Sequence, residues 1–254
     1  MKIYKPRGRA EEYSPLALNY FEGCTHNCRY CYVNRLNLKS GEQQIQAICS
    51  PPSPYGFNEL EISAKSFQGC NKQILLSFTG DPYCDMPQQY THKVLEILNK
   101  YEHKVCILTK GGRRTLRDID LFKKFVTNDL FAVNSPRISI GATLTFDNPE
   151  DSLKWEPGAA LPADRIEALR ILSEQVIRTW VSFEPVICPE QSLNLLRQVS
   201  GFVHHVRIGI VVNVIKSIFD KYFFYFFVSR FQGLFPKLPR ALLARKTNCI
   251  TTKN

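Results

Sequence analysis

Apolar positions in the first 210 residues fall into short blocks that alternate between two periods. Leu16–Phe21, Gln73–Thr79, Lys104–Thr109, Arg137–Phe146, Trp180–Val186 and Val203–Ile210 are short apolar or alternating runs, and each predicts a strand. Helical spacing fills the gaps. Pro87–Tyr101 places Val94, Leu95 and Leu98 on one face, and Pro162–Val176 does the same with Ile166, Leu169, Ile171 and Leu172. Leu116–Phe125 and Glu190–Val199 read as further helices, and Asn58 is expected to cap a short one running to Phe67. Strands joined by helices build a parallel sheet, because a parallel neighbour needs a long crossover. Six strands predict an α/β fold, a partial (βα)6 barrel of the TIM type. A closed eight-stranded barrel would need more chain. In folds of this kind chemistry gathers at the carboxyl ends of the strands.

The pattern breaks after Ile210. Residues 211–254 hold nine of the thirty aromatic residues, and eight Lys or Arg against the single acid Asp220. Neither strand nor helix periodicity continues there. The expected organisation is an N-terminal extension (1–15), a barrel domain (16–210) and an atypical basic, aromatic tail (211–254). The tail has the character of a shifted reading frame or, alternatively, of a basic interaction segment. It also carries most of the formal net charge of +10, so the body of the chain is close to neutral. Basicity alone is therefore weak support for a nucleic-acid partner. No apolar stretch reaches the about 18 residues of a membrane span. Met1–Arg9 has no apolar core of a secretory signal, so a cytoplasmic setting with reduced thiols is expected for the nine cysteines.

Three of those cysteines carry the chemistry. Cys24-Thr25-His26-Asn27-Cys28-Arg29-Tyr30-Cys31-Tyr32 directly follows the first predicted strand. A C-x3-C-x2-C loop can bring three thiols round one cluster. A cubane has four irons, so three local cysteines leave one iron open to a small-molecule ligand. On spacing alone, zinc with His26 or a distant Cys as fourth ligand is the alternative, and a buried structural trio is another.

This spacing, with aromatic Tyr30 before Cys31 and the β/α context, resembles the radical S-adenosylmethionine (SAM) superfamily. The resemblance implies a [4Fe-4S] cluster on Cys24, Cys28 and Cys31, and SAM chelating the open iron. Reductive cleavage would then give a 5′-deoxyadenosyl radical that abstracts hydrogen from a substrate. A flavodoxin- or ferredoxin-type electron donor is implied as well.

The same resemblance assigns cofactor contacts at further predicted strand ends and, at Ser139, within a predicted strand. Thr79-Gly80-Asp81 matches the stretch that binds the methionyl amine, Lys110 would pair with the SAM carboxylate, and Ser139 and Glu184 match further cofactor-facing positions. Cys28-Arg29-Tyr30-Cys31-Tyr32, and Trp155-Glu156-Pro157-Gly158 with Arg165-Ile166, are similar to the spore photoproduct lyase-like branch, often labelled DNA repair photolyase. In the lyase two tyrosines relay hydrogen, and Tyr30 and Tyr32 match them as catalytic residues. Its hydrogen-donating cysteine is matched by Phe78, with Cys84 nearby but out of register. The substrate therefore stays open. The rival readings are a zinc-stabilised interaction or nucleic-acid-binding module, and an inactive member of the same family.

Overall fold

The computed structural model describes residues 1–33, 49–126 and 136–210. Six strands form one sheet: β1 (Leu16–Leu18), β4 (Gln73–Leu76), β5 (Lys104–Thr109), β6 (Ile138–Thr143), β7 (Arg178–Val186) and β8 (His205–Ile210). They lie side by side in chain order, and every pair is parallel. A small antiparallel ribbon joins β2 (Glu22–Gly23) to β3 (Cys49–Ser50). The helices are α1 (Gly56–Ser66), α2 (Gln88–Lys100), α3 (Ile119–Lys123), α4 (Pro149–Trp155), α5 (Pro162–Glu174) and α6 (Pro189–Val199). This is the expected partial (βα)6 barrel.

Strand alternation sorts the sheet into two faces. Ile74, Leu76, Val105, Ile107, Ile138 and Ile140 point one way and pack with Leu60, Val94, Leu95, Leu98, Leu121 and Phe122 from α1–α3. Val181 and Phe183 pack on Ile166, Leu169, Leu193 and Leu196 from α5 and α6. The opposite face is the barrel interior. There Leu75, Cys106 and Trp180 cluster with Tyr13, Phe78 and Leu108. Arg207 enters the same space, its guanidinium 4.4 Å from the Tyr13 ring centroid. Gly141 is required there, because a Cβ would lie 2.3 Å from the Trp180 indole.

The N-terminal extension packs on the barrel. Tyr4 bridges Ala17 through both backbone bonds (3.0 and 2.9 Å), and the Ile3 amide donates to Ser63 Oγ at 3.0 Å. The tail lies outside the described residues. Among the described residues, no helix is long and apolar enough to cross a membrane.

Several boundaries differ from the sequence reading. Asn58 does not cap α1. The helix begins three residues earlier, at Gly56, with Tyr55 at the cap and no capping side chain. The run Leu116–Phe125 is not one helix. A 3-10 segment, Gly112–Asp118, precedes α3, because the Asp118 carboxylate is drawn inward by the Tyr83 hydroxyl (2.9 Å) and His92 Nδ1 (2.7 Å). The first two strands stop early, at Leu18 and Leu76. After Leu76 the chain turns sharply out of the sheet through Ser77, at φ +60°. Helix α4 was not anticipated, although its start is written in the sequence. Asn148 Oδ1 accepts from the Asp151 amide at 2.9 Å, and Pro149, Glu150 and Asp151 fill the first turn.

Candidate functional site

The cysteine loop hangs from the carboxyl end of β1, beside the ends of β4 and β5. Its sharp path has local causes. Gly23 sits at φ +89° and Asn27 at φ +50°, the latter a left-handed position that asparagine tolerates. The Cys31 amide donates to the Cys28 carbonyl at 3.0 Å, closing the turn between them. Cys28 is buried, Cys24 and Cys31 are partly buried, and all three are free thiols. Burial pushes the Cys28 thiol up to about 12, so iron, on binding, would displace its proton to solvent. Among the described residues, no three His, Cys, Asp or Glu side chains are gathered round a single-ion site. In a cubane each thiolate caps a different iron, so the ligands line a wider space.

Asp81 organises the loop from the end of β4. Its Oδ1 accepts from the Tyr83 amide (2.8 Å) and the Thr109 hydroxyl (2.5 Å). Its Oδ2 accepts from the Lys110 amide (2.8 Å) and lies 3.3 Å from His26 Nδ1. Burial alone would raise this carboxyl's pKa. The imidazole and the surrounding donors outweigh it and hold the group far below the usual carboxylate range. The four donors already use the carboxylate inside the protein, so Asp81 ties β4, β5 and the cysteine loop together. Burial lowers the His26 pKa and Asp81 raises it, with a net upward pull. Arg114 Nη2 lies 3.0 Å from His26 Nε2. A guanidinium only donates, so against that pull it favours the neutral ring with its proton on Nδ1. Both ring nitrogens are then engaged, and His26 presents no free lone pair as a zinc ligand.

A second clamp comes from the segment after α4. The Arg29 amide donates to the Trp155 carbonyl (2.9 Å), and the Gly158 amide to the His26 carbonyl (3.0 Å). The contact is so close that a Cβ on Gly158 would lie 2.2 Å from the Thr25 carbonyl oxygen. From this strap Glu156 reaches inward. Oε1 accepts from the Tyr30 hydroxyl, and Oε2 accepts from Arg165 Nη2 at 2.5 Å. Glu156 and Arg165 are both fully buried. Burial raises the Glu156 pKa, and Arg165 counters only part of it. Arg165 also donates to the carbonyls of Ala160 (2.7 Å) and Thr143 (2.9 Å). The sequence flagged Glu156 and Arg165 only as marks of resemblance. Their partnership with Tyr30 depends on topology that no local pattern contains.

The other expected residues divide. Thr79 is exposed and Gly80 partly so, at the rim beside the cysteine loop. A Cβ on Gly80 would lie 2.7 Å from the Gly23 carbonyl oxygen. Lys110 Nζ stands 5.5 Å from the Tyr30 ring centroid, so it reaches the loop. Tyr32 is 53% exposed, and its hydroxyl donates to the Phe78 carbonyl. Glu184 lies two residues beyond Ser182, towards the carboxyl end of β7, across Gly209 of β8 and near Arg207. Ser139 is not brought to the loop. It is the second residue of β6, level with Cys106 and hydrogen-bonded to it near the amino end of the sheet.

Two further side chains fit a bound ligand. Ser77 Oγ and Ser182 Oγ are buried with no hydrogen-bond partner. Ser77 also holds a left-handed backbone, an outlier of the kind that collects at functional sites. Three thiols, two orphaned hydroxyls and the Lys110 ammonium form a donor set that suits an iron–sulfur cluster with a charged small molecule beside it.

Comparisons with known proteins agree. Residues 18–199 match the Radical SAM superfamily. An uncharacterised protein of Methanocaldococcus jannaschii is 28% identical over 176 residues, covering 67% of this chain and 60% of that protein. Another, from the Acidianus two-tailed virus, is 26% identical over 183 residues, covering 69% of this chain and 57% of that protein. The chain thus spans less than two thirds of the length of these relatives. Among solved structures, Streptococcus suis SuiB bound to precursor peptide SuiA superposes with a TM-score of 0.60 at 12% identity, covering 85% of this chain and 45% of SuiB. A spore photoproduct lyase complexed with dinucleoside spore photoproduct gives 0.57 at 13% identity, covering 78% and 56%. These structures share the fold. The family match spans most of the chain and includes the whole cysteine loop, and the chain belongs to the radical SAM superfamily.

Proposed function

We propose that this protein is a radical SAM enzyme in which Cys24, Cys28 and Cys31 hold a [4Fe-4S] cluster. The observation that carries this reading is the single short loop bearing all three thiols, clamped on two sides at the carboxyl end of a parallel sheet. When bound, the cluster and SAM together would supply reductive cleavage of the sulfonium bond to a 5′-deoxyadenosyl radical that takes a hydrogen atom from a substrate.

The protein's own groups have separate tasks. Asp81, through His26, and the strap through Glu156 hold the loop in shape. Lys110, at the end of β5, is placed to neutralise the SAM carboxylate. The Thr79–Gly80 rim offers backbone carbonyls to the amine. The orphaned hydroxyls of Ser77 and Ser182 are suited to polar atoms of the same ligand, and Glu184, nearer the carboxyl end of β7, is suited to its ribose or to the substrate. Tyr30 and Tyr32 flank Cys31, with hydroxyls fixed by Glu156 and by the Phe78 carbonyl. These positions suit a hydrogen relay of the lyase type. A flavodoxin- or ferredoxin-type reductant would deliver the electron.

Anaerobically reconstituted protein should contain about four irons per chain, as a cubane requires. With dithionite it should convert SAM to 5′-deoxyadenosine. Replacing Cys24, Cys28 or Cys31 by Ala should abolish both iron retention and cleavage. Unchanged turnover in the three variants would refute the assignment.

A further inference from the structure

Two cysteines outside the cluster loop meet beside it. Cys84 Sγ lies 3.6 Å from Cys49 Sγ and donates to it. Cys84 also makes a side-chain hydrogen bond with Cys24, so three sulfurs form a chain from Cys24 through Cys84 to Cys49. The backbone holds both ends. Cys49 sits in β3 opposite Gly23 of β2, the residue before Cys24. The Cys84 turn is fixed by its own amide to the Asp81 carbonyl (3.3 Å), by the Met86 amide to the Cys84 carbonyl (2.7 Å), and by the Asp85 amide to Thr25 Oγ1 (2.7 Å). Cys84 is only 2% exposed, whereas Cys49 is partly open to solvent.

We propose that Cys49 and Cys84 form a thiol–disulfide exchange site that takes low-molecular-weight disulfides. An S–S bond is about 2.05 Å long, so the two sulfurs need to close by only about 1.6 Å. Cys49, the accessible thiol, attacks one sulfur of the small disulfide as its thiolate. One small thiolate leaves, takes up the proton that Cys49 gave up, and a mixed disulfide remains on Cys49. Cys84, already in contact, then attacks the Cys49 sulfur. The second small thiolate departs with the Cys84 proton, and the Cys49–Cys84 disulfide forms. Two protein thiols are oxidised and one small disulfide is reduced to two thiols, with no further electron acceptor. Cys84 is buried, so a small disulfide reaches Cys49 first, and its contact with Cys49 suits it to the resolving role, where proximity replaces concentration. Closing the bond removes the Cys84 proton from the pair, so Cys24 loses a thiol neighbour. The oxidation state of this site is thereby felt at a proposed cluster ligand.

The test is peptide mapping of the full chain, reduced and then treated anaerobically with oxidised glutathione, with iron measured in parallel. The expected product is a Cys49–Cys84 cross-link, the protein losing two hydrogens. In Cys84→Ser the reaction should stop at glutathione on Cys49, and in Cys49→Ser the buried Cys84 should stay free. Free thiols at both positions in the folded wild type, a mixed disulfide left unresolved on Cys49, or a cross-link confined to other cysteines would overturn the proposal. Because the reaction needs no iron, loss of the cluster reading would show in the iron content and leave the cross-link unaffected.

Discussion

Single residues hold this site more than they decorate it. Two buried carboxylates, Asp81 and Glu156, spend their oxygens on protein donors, and each fixes a different side of the cysteine loop. Removing Glu156 leaves the Arg165 charge buried without its partner. Glu156→Ala should therefore cost about 3–5 kcal/mol in chemical denaturation. Glu156→Gln keeps an acceptor for Tyr30 and should cost clearly less. Equal losses in both variants would show that the ion pair contributes little. The three thiols stand out in the sequence by their spacing, although spacing alone left zinc and a cubane both open. The role of Asp81 was not legible there. Its position was marked, but its donors come from His26, Thr109 and Lys110 on other elements, and only the fold brings them together. Ser139 shows the converse. A residue type matched an expected contact, yet its place near the start of β6 aims it at Cys106.

At the scale of elements, the hydrophobic pattern placed all six sheet strands and most of the helices. It failed where side chains override periodicity, as at Asp118, and at the two-residue ribbon of β2 and β3, which is too short to have a period. The strap after α4 makes a sharper prediction. Gly158→Ala drives a methyl into the Thr25 carbonyl, 2.2 Å from the ideal Cβ position. It should cost about 1–3 kcal/mol. Iron should leave the reconstituted protein faster, read from decay of its visible absorbance. Retention equal to wild type would mean that the strap does not hold the loop. A second test concerns β8. Burial, with Arg207 and Arg178 nearby, lowers His205 from 6.5 to about 4, so the folded protein keeps it neutral. Between those values the unfolded chain binds the extra proton, and stability contributed by the neutral ring is lost as pH falls from about 6.5 towards 4. His205→Gln should flatten that part of the stability–pH curve. An unchanged slope would contradict the assignment.

At the scale of the whole molecule, the candidate residues collect at one end of the described sheet. Parallel strands deliver the cysteine loop, the Thr79–Gly80 rim and Lys110 to the same end of the sheet, as the alternating pattern implied. The described interior is apolar towards the amino end, with Leu75, Cys106 and Trp180 packed together. It turns polar at Ser182 and Glu184, which suits a site that must exclude water below a charged ligand. The central claim is that three thiolates grip a cubane whose fourth iron remains open. Electron paramagnetic resonance of the oxygen-protected, one-electron-reduced protein, recorded before and after adding SAM, tests it directly. A paramagnetic cluster signal that changes when SAM binds is expected. No such signal, or one that SAM leaves unaltered because a side chain caps the fourth iron, would contradict it.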